Sequence, residues 1–197
     1  PTQHSVKELR EIGIQPDILI CRCEKNISLE DKKKVSLFCN VDTKNIIQAV
    51  DVDSIYEIPS LFFKEKLDER VLYTLNIKNS KQPDLNNWNN IIKRKKNFKK
   101  SVEIGIVGKY IELKDAYKSL VEALIHSGIK NNTHIKINWI DSANIIALKK
   151  NLKKLEGIIV PGGFGSRGTQ GKLYSIKYAR EKNIPFLGIC FGMQLAV

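Results

Sequence analysis

The chain has 197 residues, 42% of them hydrophobic, enough for one large domain or two small ones with buried cores. No run of about 18 uncharged apolar residues occurs, which argues against a membrane-spanning helix. The net charge of +12 raises nucleic acid as a partner, but the densest basic run, Lys93-Arg94-Lys95-Lys96 with Lys99 and Lys100, reads as a solvated linker.

The chain opens on Pro1-Thr2-Gln3-His4, with no initiating Met and no apolar signal segment, as expected for a piece of a longer chain. Residues 4–12 carry Val6, Leu9 and Ile12 at helical spacing, and Gly13 fits a helix C-cap. Ile18-Leu19-Ile20-Cys21 reads as a buried parallel strand. Cys21 and Cys23 have poor zinc spacing, so a metal site is not expected and the cysteines read as reduced thiols. Ser28 with Asp31 marks a helix N-terminus leading through Lys32–Leu37. A strand at 45–50 follows, then a helix opened by Pro59 and another from Asp68 to Leu75. This alternation predicts an α/β unit. Residues 78–100 are polar and Asn/Lys-rich, although Leu85, Trp88, Ile91 and Ile92 have the spacing of a docked amphipathic helix.

A second α/β unit starts at Val102. The strand 102–108 ends in Gly108. Asp115 is expected to cap a helix over Ala116–His126 that Gly128 ends. Further strands are expected at 135–140, 157–160 and 184–189, with helices at 148–155 and 172–181. The order predicts a doubly wound parallel sheet. The fold class is therefore α/β, with two doubly wound parallel-sheet units, both incomplete, joined by a polar linker.

The sharpest chemical signal is Gly188-Ile189-Cys190-Phe191-Gly192-Met193-Gln194. A strand runs into it and helix formers leave it, which puts Cys190 on a sharp turn between two glycines, like a nucleophile elbow. A helix N-terminus there favours a thiolate, and the Phe191 N–H would face a developing oxyanion. Val160-Pro161-Gly162-Gly163-Phe164-Gly165, after the preceding strand, would supply further backbone amides. A catalytic cysteine of this kind needs a histidine base. Only His4, His126 and His134 are present, and none follows Cys190. The expectation is a chain truncated inside a domain and inactive alone.

Gly188–Gln194 with the upstream Pro161–Gly165 segment resembles the class I glutamine amidotransferases. Val107-Gly108-Lys109-Tyr110-Ile111-Glu112-Leu113, Asp115-Ala116-Tyr117-Lys118-Ser119 and Gly165-Ser166-Arg167-Gly168 narrow the resemblance to the CTP synthase family. Pro1–Ser5, Gly13–Asp17, Phe38–Val41 and Val52–Tyr56 are similar to the end of that family's synthetase domain. The resemblance covers nearly the whole chain outside the linker. It implies that residues 1–77 are the C-terminal part of the synthetase (amidoligase) domain, 78–101 an interdomain linker, and 102–197 the N-terminal part of the amidotransferase domain.

The implied activity is that of a cytoplasmic carbon–nitrogen ligase of pyrimidine biosynthesis. ATP phosphorylates the uracil 4-oxygen of UTP, and ammonia from glutamine displaces phosphate to give CTP. The family further implies Mg²⁺, with its ligands expected upstream of this chain, GTP as activator, CTP as feedback ligand and a homotetramer. Nucleic acid and membrane are not expected partners. By the same resemblance Cys190 is the nucleophile, and Gly163, Phe191, Gly192, Met193 and Gln194 bind glutamine. Pro1, Thr2, Gln3 and Lys34 fall in the UTP/CTP site, and Val50, Asp51 and Val52, with Arg22 beside them, at the ATP base. Lys118, Arg167 and Gly168 match positions of the GTP effector site. Two other readings remain at this stage: another amidotransferase-linked synthetase, such as one making GMP, and a basic nucleic-acid-binding module.

Overall fold

A computed structural model describes residues 2–78, 80–109 and 111–197, and for Lys114 the backbone alone. Pro1 and Tyr110, both singled out above, lie outside the described residues. The chain divides into two compact units, Pro1–Ile92 and Lys93–Val197. The split falls inside the stretch that the sequence marks as a connector.

The first unit is built on two parallel strands, β1 (Leu19–Cys23) and β2 (Ile46–Val50), with Leu19 opposite Ile46 and Cys23 opposite Val50. Helices α1 (Thr2–Glu11) and α2 (Leu29–Cys39) pack together beside them. Ser28 caps α2 as its sequence predicts: its Oγ accepts the Asp31 N–H and donates to the Asp31 carboxylate. Asn40, at φ 53°, ends the helix in the left-handed conformation that asparagine tolerates. Val6, Cys21, Cys39, Val41 and Ile46 form the core.

Two short helices follow, α3 (Ile58–Lys64), with Pro59 in its first turn, and α4 (Leu67–Thr74). The connector does contain a docked helix, α5 (Asn86–Lys96). Trp88 anchors it, donating its indole N–H to the Tyr56 carbonyl at 2.7 Å with the two rings 6.1 Å apart. Lys93–Lys96 are the last turn of α5, where the helix dipole favours positive charge.

The second unit contains one parallel sheet in the order β4-β3-β5-β6, with β3 (Lys100–Gly108), β4 (Thr133–Asp141), β5 (Gly157–Val160) and β6 (Phe186–Gly188). α6 (Lys118–Lys130) packs on β4. α7 (Ile145–Asn151) and α8 (Thr169–Glu181) share one core with the sheet, made by Val107, Ile140, Leu148, Leu152, Ile158, Val160 and Ile176. Every residue of β5 is buried, as a central strand covered on both faces requires.

Some boundaries differ from the sequence reading. Gly128 does not end α6. It is buried inside it, where an added Cβ would lie 2.6 Å from the Thr133 carbonyl, so its lack of a side chain serves close packing. Asp115 lies in a 3₁₀ turn rather than capping α6, whose N-cap is Tyr117. β6 is shorter than 184–189 because Pro185 has no N–H to give to a ladder, although its carbonyl accepts from Ile158 at 2.9 Å.

Candidate active site

β6 ends at Gly188, and α9 (Phe191–Gln194) begins three residues later. Cys190 occupies the turn between them at φ 51°, ψ −112°, and is exposed. Among the described residues, four of the other five non-glycine residues at positive φ are asparagines, which tolerate that region. A cysteine there carries strain of about 1–3 kcal/mol, held by the surrounding turn. The turn is fixed by Ile189 N–H to the Val160 carbonyl at 3.0 Å and Gly192 N–H to the Ile189 carbonyl at 3.0 Å.

The two flanking glycines are packing requirements. An added Cβ on Gly192 would sit 1.9 Å from the Val160 carbonyl oxygen, and one on Gly188 would sit 2.7 Å from the Gly192 backbone. The glycine segment after β5 lies against the same turn. A Cβ on Gly162 would be 3.5 Å from Cys190 Cβ and 3.9 Å from its Sγ. The rings of Phe164 and Phe191 are 5.4 Å apart. An exposed sulfur, a glycine segment beside it and the first amides of α9 thus meet at the carboxyl edge of the sheet, where such folds bind ligands.

Of the nominated glutamine residues, Phe191 is half-buried, Gly192 is buried, and Met193 and Gln194 are exposed on α9. Neither His126 nor His134 joins them. His134 lies at the start of β4, stacked on Phe98 at 5.7 Å, and His126 lies near the end of α6. Both belong to the opposite edge of the sheet, roughly 25 Å away along nine-residue strands.

Sequence reasoning missed Lys172. It is 1% exposed on α8, donates to the Gly163 carbonyl at 3.1 Å and stands 5.1 Å over the Phe191 ring. Burial, and secondarily the charge of Lys109, push its ammonium below the ordinary lysine value. Lys109 donates to the neighbouring Phe164 carbonyl. The only sequence signal was the position of Lys172 on the core face of a predicted helix.

Among the effector nominations, Arg167 and Lys118 are exposed. Gly168 packs over Ser142, where an added Cβ would meet the hydroxyl at 2.2 Å.

In the first unit the residues nominated for the ATP base do come together. Arg22 Nε donates to the Asp51 carboxylate at 2.9 Å, at the carboxyl ends of β1 and β2, next to Val50 and Val52. That hydrogen bond, reinforced by the charge of Asp51, raises the Arg22 pKa. The UTP/CTP nominations are more scattered. Thr2 and Gln3 begin α1. Lys34 is 59% exposed and pairs with Glu30 at 2.9 Å on its own helix. The enclosed lysine nearby is Lys32, 18% exposed and bonded to Glu65 at 3.1 Å. An apolar groove of about 580 Å³, lined by Pro59, Phe62, Val71 and Leu85 among others, contains none of the nominated residues. Among the described residues, no three His, Cys, Asp or Glu side chains cluster so as to hold a metal ion.

Residues 1–77 match the family model described as CTP synthase N-terminus, and residues 112–197 match that of the class I glutamine amidotransferases. The curated relatives that the chain matches along its whole length are CTP synthases. The CTP synthase of Pelagibacter ubique (strain HTCC1062) is 59% identical to it over 199 residues, covering 100% of this chain and 37% of the relative. That of Buchnera aphidicola subsp. Schizaphis graminum (strain Sg) is 53% identical over 198 residues, covering 100% and 36%. The chain thus spans little more than a third of the length of the curated relatives it matches. A solved structure, "Trypanosoma brucei CTPS - glutaminase domain with bound acivicin", is similar at 38% identity and a TM-score of 0.46, over 49% of this chain and 39% of that one. The front match, described as CTP synthase N-terminus, bears on the alternative of a different amidotransferase-linked synthetase, because it lies outside the amidotransferase match. It carries the description "N-terminus", whereas the sequence reading assigned residues 1–77 to the end of the synthetase domain.

Proposed function

We propose that the chain is part of a CTP synthase, a ligase that makes CTP from UTP, ATP and glutamine. Residues 1–77 are the closing part of the synthetase domain, 78–101 the linker and 102–197 the opening part of the amidotransferase domain. The observation that carries the reading is the strained, exposed Cys190 beside the glycine segment, in a chain whose curated relatives are CTP synthases.

In this reading the Cys190 thiolate attacks the side-chain carbonyl carbon of glutamine. The oxyanion is received by backbone amides of Phe191 and the Gly163 segment. The leaving nitrogen takes the proton that a base removed from the thiol, the carbon–nitrogen bond breaks, ammonia leaves, and a γ-glutamyl thioester remains for water to hydrolyse to glutamate. Neither His126 nor His134 is the base. The resemblance implies a histidine further along the family's sequence. Phe191, Gly192, Met193 and Gln194 shape the glutamine site.

Ammonia then reaches the synthetase site, where ATP has phosphorylated the uracil 4-oxygen of UTP, and displaces that phosphate to give CTP. Arg22, Val50, Asp51 and Val52 lie at the ATP base, and Thr2, Gln3 and Lys34, with Pro1, at the pyrimidine nucleotide. GTP activates through Lys118, Arg167 and Gly168, and CTP feeds back. The protein is a cytoplasmic homotetramer that uses neither nucleic acid nor membrane.

The test is Cys190→Ala in the full-length protein. Glutamine-driven CTP formation should fall at least about a thousandfold, as loss of a covalent nucleophile does, while ammonia-driven formation stays within about twofold. Survival of glutamine-driven turnover would remove Cys190 from the mechanism.

A further inference from the structure

Glycine segments are conformationally free, and this one has Gly163 at φ 130° and Gly165 at φ 107°. A loop of that kind presents fixed amides to a ligand only if something else pins its peptide planes. Two lysines do so on consecutive residues: Lys172 holds the Gly163 carbonyl and Lys109 holds the Phe164 carbonyl. In a trans peptide the carbonyl and the following N–H point in opposite directions. Capturing a carbonyl therefore also sets the direction of the next amide.

Lys172 is the unusual member of the pair. It is buried at 1% exposure and, among the described residues, has no carboxylate partner. A buried ammonium without an anion is costly, and an apolar side chain would fill the space under α8 more cheaply. The ammonium makes two contacts, one to the glycine segment and one to the face of Phe191, which begins α9. It therefore touches both the glycine segment and the side chain of the residue that follows Cys190.

We propose that Lys172 is a positioning residue for glutamine hydrolysis, clamping the glycine segment to the nucleophile turn so that their amides converge on one oxyanion. The inference rests on the glutaminase reading above. It assigns Lys172 a role in transition-state stabilisation and none in holding ground-state glutamine or the sulfur itself. The Lys172→Met variant keeps the apolar stem and loses the charge and the donor.

In the full-length protein, Lys172→Met should lower kcat for glutamine-driven turnover about tenfold to a hundredfold, with KM within about threefold. Ammonia-driven turnover and the rate at which iodoacetamide alkylates Cys190 should each stay within about threefold. Lys172→Arg, which restores charge and donors, should recover part of kcat. Three results would overturn the clamp while leaving the glutaminase reading intact. They are an unchanged kcat in Lys172→Met, a fall in kcat matched by equal loss of ammonia-driven turnover, and an effect confined to KM. Wild-type protein that releases no ammonia from glutamine would overturn the functional reading, and the clamp with it.

Discussion

Single residues carry the site, and their environments separate necessary groups from incidental ones. Gly192 packs against the Val160 carbonyl so closely that any side chain must displace backbone. Gly192→Ala should cost about 2–3 kcal/mol, seen in thermal unfolding as a fall of roughly 8 °C or more. A melting temperature within about 1 °C of wild type would show that the turn is looser than described. Cys190 was legible in the sequence because glycines two residues to either side, after an apolar strand, leave room for the sharp turn of a nucleophile elbow. Lys172 was not, because nothing in a lysine-rich sequence marks which lysine a loop will cover. Lys34 and Lys32 teach the same point. Adjacent helical lysines look alike as letters, yet one faces solvent and the other is enclosed by the carboxylate of Glu65.

Elements are held by local chemistry that the sequence shows well and by distant contacts that it shows poorly. The Ser28–Asp31 cap was readable, and Ser28→Ala should destabilise the first unit by about 1 kcal/mol in denaturant unfolding. The cross-link between α2, β2 and the end of α3 was not readable, because its members are separated by 16 to 33 positions. Glu65 accepts from Lys32 and from the side chain of Gln48, whose own carbonyl oxygen receives the Ile27 N–H. Burial alone would raise the Glu65 pKa, but the hydrogen bonds from Gln48 and Lys32 outweigh it and the net shift is downward. A carboxylate with a depressed folded pKa adds stability above its unfolded value, about 4.3, and that stability is lost as pH falls through the lower folded value. Unfolding followed from pH 7 down to pH 3 should therefore show an acid-labile component that Glu65→Gln lacks. Parallel curves for the two proteins would contradict the assignment. The limits of β6 and α6 went astray for similar reasons: a ladder fails at Pro185, and Gly128 answers a strand that follows it, rather than a helix end.

At the scale of the whole molecule, composition alone pointed toward nucleic acid and pattern pointed elsewhere. Much of the densest basic run is the last turn of α5. A duplex DNA oligonucleotide should give no saturable complex in titrations at 150 mM salt, and only weak binding that fades steeply with added salt. A sequence-selective complex would revive the alternative of a nucleic-acid module. Glutamine hydrolysis by this site requires a covalent bond at one sulfur. Full-length protein, mixed with glutamine and quenched in acid, should yield a peptide in which Cys190 carries one γ-glutamyl group by mass spectrometry, with Cys21, Cys23 and Cys39 unmodified. Steady glutamine hydrolysis with the adduct on another cysteine, or with no adduct at any quench time, would contradict it.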